Sequence, residues 1–352
     1  MTTLLNSIQM PSDDVFEAQY MKTLVNVGIN DLFAGCSIRE INSKQRFIDE
    51  FGDIEAPIDD IYDNVIGIQQ VVSQLKGRGR HEQLSASTPK LDCDSMPIRD
   101  YFDYQQRHPG NPYSRILFPP SAEMAESYRI PGICRARADE EEKVHAAFLI
   151  GIQGSFSHLH FDKDGRHGLL YQVYGRKRVV VFPYESSYKL APFTQFAFWC
   201  IQSFDDAERQ RFLRYAGGRE LVLEPGDAVY IPPYSWHYVD YLEDCCSINL
   251  RFRRPARLEY LAQQLFPDLY TQGIARALVD PKSGDEALHI LQAGVESLSG
   301  LNGDELFGAR RALARSIYHK LLPDEQRKPY CVDLEEFFPS PLQYLVDAMK
   351  RA

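Results

Sequence analysis

Between residues 146 and 254 the chain breaks into eight short runs, each rich in β-branched and aromatic residues and each bounded by glycine, proline or acidic turns. They read AAFLIGIQ, SFSHLHF, GLLYQVYG, KRVVVFP, RELVLEP, DAVYIPP, HYVDYL and CSINLRF. Runs of this length and texture are strands, and eight of them in succession predict a closed or two-sheet antiparallel barrel. One interval, Tyr184 to Gly218, interrupts the rhythm with an aromatic-rich loop and a helix over DDAERQRFLRYA. Insertions of this kind often sit over a barrel mouth, so the segment reads as a lid or a substrate-facing element.

The flanks are different in texture. In residues 1–145, Ser43 caps a short helix running to Phe51, and Ile61, Val65, Ile68, Val71, Val72 and Leu75 recur at helical spacing up to Gly77. The polar stretch from Gly77 to Asp94 has loop composition, and Ser95 with Pro97 suits the start of a helix over MPIRDYFDYQQRH. After Pro255 the pattern is helical: Leu306, Leu313, Ile317 and Leu321 form an apolar stripe, and the last helix opens at Ser340 and Pro341. The expected organisation is a mixed helical support region over 1–145, a barrel core over 146–254 and a helical region over 255–352. Such a tail packs on the barrel or on a second copy of the chain, so a homodimer through the C-terminal helices is one use open to it.

Composition excludes some functions. The net charge is −10 over 352 residues, which gives no support to a phosphate-tracking groove, and no nucleic-acid partner is expected. The first thirty residues lack a basic start and a small-residue cleavage site, and no apolar run reaches the length of a membrane span. A cytoplasmic protein with no membrane association is expected. Seven cysteines stand without C-x-x-C spacing, which argues for reduced thiols rather than a disulfide framework or zinc cluster. Of the adjacent pair Cys245 and Cys246, at least one reads as a small buried apolar residue.

The chemistry gathers around two short stretches. His160-Phe161-Asp162 places an imidazole and a carboxylate two residues apart, where an extended or turning strand points both the same way. His237 lies 77 residues further on, after a Gly-Asp turn, a strand and a Pro-Pro corner that return the chain to the same mouth. Two histidines and one carboxylate on one face of an octahedron are what a non-haem Fe(II) oxygenase needs, because the opposite face must accept co-substrate and oxygen. Alone, His-x-Asp is a weak signal; the order strand, triplet, strands, Pro-Gly-Asp turn, strand, Pro-Pro, His is far more specific. His158 complicates the set, since some barrels use His-x-His pairs.

These stretches, HFDKDGRHGLLYQVYGRKRVVVFP and LEPGDAVYIPPYSWHYV above all, make residues from about Leu149 to Arg253 resemble the JmjC domain. That domain lies within the cupin-like Fe(II)/2-oxoglutarate oxygenases, and the likeness is greatest to the asparaginyl-hydroxylase-like branch. The resemblance implies a mainly β fold with α additions, built on a double-stranded β-helix or jelly roll of cupin-like type, with Fe(II), 2-oxoglutarate and O2 as cofactors. It aligns His160, Asp162 and His237 with the metal ligands and leaves His158 behind them or lining the mouth. It also implies that a buried cation meets the far carboxylate of 2-oxoglutarate, and the match falls on Lys177. On the strand, Lys177 shares a face with Val179 and Val181 while Arg178 takes the other; Arg176 and Arg178 are fallback partners. Ser157 matches a hydroxyl donor to the same carboxylate and Asn249 an asparagine near the metal-bound end. Gly168 departs from the pattern, standing where the branch has an asparagine after an apparent insertion in KDGRHG, with His167 as a partial substitute.

Tyr171, Trp199, Trp236 and Tyr238, with His158, are candidates for lining the substrate mouth, core packing being the competing duty of the four larger rings. The activity implied is a dioxygenase that hydroxylates a peptide or protein side chain or a small metabolite, releasing succinate and CO2. Two alternatives stand beside it: N-methyl-lysine demethylation by the same chemistry, and a non-catalytic barrel that binds a ligand or partner.

Overall fold

The computed structural model describes residues 4–57, 93–108, 115–137, 143–162, 164, 166–183, 189–190, 192–193, 196–197, 199, 201–233 and 235–253, with isolated positions between 289 and 305. The helix expected between Ile61 and Leu75, residues 77–92 of the expected loop and nearly all of the C-terminal region lie outside the described residues. The strands in chain order are β1 (Ser7–Gln9), β2 (Val27–Asn30), β3 (Glu55–Pro57), β4 (Ser95–Pro97), β5 (Arg115–Phe118), β6 (His145–Gly151), β7 (Phe156–His160), β8 (His167–Tyr174), β9 (Lys177–Phe182), β10 (Pro192–Phe193), β11 (Phe196–Ala197), β12 (Arg219–Leu223), β13 (Asp227–Ile231), β14 (Trp236–Tyr241) and β15 (Cys245–Phe252). The eight runs read from the sequence are β6 to β9 and β12 to β15.

A seven-stranded sheet has the order β1-β2-β13-β8-β15-β6-β5, and a six-stranded sheet the order β10-β11-β7-β14-β9-β12. Successive strands of the eight pass from one sheet to the other at nearly every connection, which is the double-stranded β-helix. The β8–β9 turn needs Gly175: its φ is +65°, and a Cβ there would lie 2.2 Å from the Asp244 carbonyl oxygen. Between the sheets, Val179, Val181, Leu223, Val239 and Tyr241 of the smaller meet Leu170, Val229, Ile231 and Cys245 of the larger.

Each sheet also has a plated outer face. Helices Lys44–Phe51 and Ile98–Arg107 supply Phe47, Phe51, Tyr101 and Phe102 to a core against Phe148, Tyr171 and Tyr174 of the larger sheet. Ser43 caps the first helix as expected, accepting from the Arg46 amide. The second begins at Ile98, one residue after Pro97, because Ser95–Pro97 is spent on pairing with β3. On the smaller sheet, helix Asp206–Ala216 buries Phe212, Leu213, Tyr215 and Ala216 against Val180, Phe182, Trp236 and Tyr238. Asp205 and Glu208 form its capping box, and Gly217 closes it at φ 69°. This helix is therefore outer plating rather than a cover for the mouth, which corrects the lid expectation for that part of the insertion. The strand β11 of the same insertion instead extends the small sheet, with Phe196 in register with His160. Cys245 and Cys246 are both buried with free thiols, and no helix among the described residues is long and apolar enough to cross a membrane.

Candidate metal centre

His160 ends β7 and His237 lies near the start of β14, and the antiparallel register sets them directly opposite each other. Their rings stand 4.3 Å apart between centroids. Asp162, just past the end of β7, turns Oδ1 to within 3.6 Å of His160 Nε2 and Oδ2 to within 3.6 Å of His237 Nε2. One donor atom from each of the three side chains falls within a span of 4.8 Å.

The two imidazoles are held the same way. His160 Nδ1 hydrogen-bonds the carbonyl of His158 at 2.6 Å, and His237 Nδ1 that of Ser235 at 3.0 Å. A carbonyl only accepts, so Nδ1 carries the proton in each ring and Nε2 is directed at Asp162. Burial pushes His237 down to about 4, with the neighbouring His160 adding to the shift, so its ring is neutral at physiological pH. For Asp162 burial works upward, but the Arg251 guanidinium, His237 and His160 outweigh it and hold the carboxyl well below its usual range. Two imidazole nitrogens with an ionised carboxylate is the donor chemistry of an open-faced Fe(II) site, and these residues fit such an ion.

A register shift decides what else shares this face. Between His237 and Val239, one residue of β14, Tyr238, opposes two of β7, His158 and Leu159, so Ser157 pairs with Val239 while His160 pairs with His237. The bulge carries Ser157 to the face that His160 uses, although regular alternation would separate them. Deeper in the barrel, Lys177 is 1% exposed, opposite Tyr241, with Nζ 4.1 Å from the centre of that ring. No carboxylate among the described residues pairs with Lys177, whereas Arg176 meets Glu243 at 2.8 Å and Arg178 meets Asp240 at 3.4 Å. Asn249 lies on β15 two residues before Arg251 and pairs with Leu170.

The aromatic mouth expected from the sequence is not what the fold builds. Trp236 and Tyr238 flank His237 on one strand, so alternation sends them to the outer face, where Trp236 packs edge-on to Phe161 at 4.8 Å. Trp199 belongs to that same outer core, 5.3 Å from Phe212 between ring centroids. Tyr171 packs against Phe33 at 4.6 Å beneath the N-terminal layer. His158 hydrogen-bonds the Ala197 carbonyl at 2.7 Å, tying β7 to β11. His167 is no stand-in for an asparagine near the site: it alternates outward and meets the Tyr230 hydroxyl at 2.6 Å. Gly168 is the inward neighbour, opposite Arg251. Arg251 is the residue the sequence reading missed; its guanidinium donates to both Asp162 and Asp164. Alternation from Asn249 in SINLRF was the available signal.

The cupin-like domain family matches residues 68–257, just over half of the chain. The chain belongs to that family. Among curated proteins, cupin-like relatives include Lysine-specific demethylase 8 of Xenopus tropicalis, 28% identical over 137 residues, 38% of this chain and 30% of that protein. JmjC domain-containing protein D of Dictyostelium discoideum is 27% identical over 201 residues, 53% of this chain and 44% of its own. HSPB1-associated protein 1 of Homo sapiens is 26% identical over 175 residues, 48% and 34%. The match spans less than half the length of each relative, and these names do not single out the asparaginyl-hydroxylase-like branch. They do agree with a JmjC-type cupin-like domain.

Proposed function

We propose that the chain is an Fe(II)- and 2-oxoglutarate-dependent oxygenase that hydroxylates a peptide or protein side chain or a small metabolite. The observation that carries this reading is the pairing of two features in one barrel: three metal-type donors at the mouth and, further in, a buried lysine that no carboxylate among the described residues pairs with. His237 is in register with Val181 and Tyr241 with Lys177, four residues apart along the strand, or about 13 Å. A lysine stem and a short dicarboxylate chelated at the mouth fill that gap between them. A buried ammonium with no anion is costly, and the far carboxylate of 2-oxoglutarate supplies one. On this reading Ser157 donates to the same carboxylate and Asn249 faces the metal-bound end.

Bound there, Fe(II) with 2-oxoglutarate supplies an oxidation in which O2 is consumed, the oxoacid becomes succinate and CO2, and one oxygen atom reaches the substrate. The chain's own part is to hold the ion through His160, Asp162 and His237, to leave the opposite face open, and to anchor the co-substrate. Asp162 keeps 36% of its side chain exposed, so the centre is reached from solvent. Incubation with Fe(II) and labelled 2-oxoglutarate tests the reading: succinate forms, and its absence would mark a barrel that only binds.

A second reading is N-methyl-lysine demethylation, in which a hydroxylated methyl group leaves as formaldehyde. It is favoured by the name of the Xenopus tropicalis relative, Lysine-specific demethylase 8. Mass spectrometry of candidate peptides separates the two, a gained oxygen marking hydroxylation and a lost methylene demethylation.

A further inference from the structure

We infer that Arg251 is the positioning residue for the metal-facing carboxylate, an inference that rests on reading His160, Asp162 and His237 as the metal centre. Arg251 lies on β15, directly across from Gly168 of β8. A Cβ built on Gly168 would stand 3.9 Å from Arg251 Cδ, an ordinary contact, so the arginine stem packs alongside this position in the lane that leads to Asp162. At the end of that lane the guanidinium divides: Nη1 donates to Asp162 Oδ2 and Nη2 to Asp164 Oδ1. Arg166 Nη1 takes the other oxygen of Asp164 at 3.4 Å. The loop leaving β7 is thereby tied to the opposite sheet through both of its acids.

The fork does more than neutralise charge. A planar guanidinium fixes the plane and distance of the carboxylates it bridges, which a point charge does not. With Oδ2 engaged, Asp162 presents Oδ1, the oxygen beside His160 Nε2, as its free donor. A carboxylate limited to one oxygen occupies one coordination position and leaves the open face at full width; released, it can swing or bind through both oxygens. Arg251 side-chain exposure is only 15% against 36% for Asp162, so the arginine is the more buried end of the contact.

The test is a titration of metal-free protein with Mn(II), followed by the free-ion EPR signal, on the wild type, Arg251→Gln, Arg251→Lys and Asp164→Asn. Visible absorption of the Co(II)-loaded forms reports the coordination geometry. The wild type binds one ion. Arg251→Gln binds about tenfold or more weakly, in the range of lost partners behind a metal ligand, and its Co(II) spectrum changes. Arg251→Lys recovers part of the affinity, and Asp164→Asn, which removes only the outer arm, loses less than Arg251→Gln. A folded Arg251→Gln with wild-type affinity and an unchanged Co(II) spectrum, or with tighter binding, overturns the inference. Should Arg251→Gln not fold, wild-type affinity and spectra in both Arg251→Lys and Asp164→Asn overturn it equally. Failure of the wild type to bind Mn(II) would instead bring down the metal-centre reading itself.

Discussion

His237 and Trp236 are chain neighbours with opposite surroundings, because a strand turns successive side chains to opposite faces. Sequence could identify His237 from its place after the Pro-Pro corner, yet it could not say that its aromatic neighbours face away from the mouth, since an indole suits either side. Lys177 was legible for the same reason that Trp236 was not: a lysine in phase with Val179 and Val181 stands out against its company. Arg251 was hidden because its meaning depends on Asp162 across the barrel. Replacing Lys177 with Met keeps the side-chain bulk and removes the charge. We expect Mn(II) affinity to be retained and 2-oxoglutarate affinity of the Mn(II) form to fall tenfold or more, measured by calorimetry; equal affinity in both proteins would contradict the assigned role. His237→Ala removes a donor atom itself, and stoichiometric Mn(II) binding is expected to be lost.

At the level of elements, all eight strands were readable from texture, while their irregularities were not. The shift that brings Ser157 into phase with His160 arises where β14 meets β7, a pairing of residues 77 to 84 positions apart that local pattern cannot reveal. Helix Asp206–Ala216 was equally clear as a helix, with its acidic cap, but its place was not. Its apolar face completes an outer core with Phe182 and Trp199, whose rings lie 5.7 Å and 5.3 Å from Phe212. Phe212→Ala should cost about 3–5 kcal/mol in chemical denaturation, and an unchanged midpoint would show that the helix is not the plating described. Metal affinity per folded molecule should remain near wild type, because the plating and the centre lie on opposite faces of the sheet.

Across the whole molecule, the N-terminal layer is tied to the end of β15 by charge as well as packing. Glu17 accepts from Arg137 at 2.6 Å and from Arg253 at 3.0 Å; burial would raise its pKa, but the two arginines bring it down to about 2. The molecule also carries buried neutral imidazoles. His237 is depressed to about 4, and His167, through burial first and then Arg253 and Arg251, to about 3. An unfolded histidine takes its proton near pH 6.5, so the stability from these neutral rings is complete above that value and lost as pH falls through about 4 and about 3. The metal-free protein should therefore lose about 3 kcal/mol through His237 and about 5 kcal/mol through His167 as the medium is acidified from pH 6.5 across that window. Denaturation midpoints that stay level from neutral pH to about pH 4 would contradict it.

The central claim is that one divalent ion and one 2-oxoglutarate share the interior of this barrel. Crystals grown with Mn(II) and 2-oxoglutarate, with anomalous differences collected for the metal, test it most directly. The expected result is a single anomalous peak bonded to His160, Asp162 and His237, with the dicarboxylate chelating it and reaching Lys177. A metal peak elsewhere, or a diacid whose far end lies away from Lys177, would contradict the account.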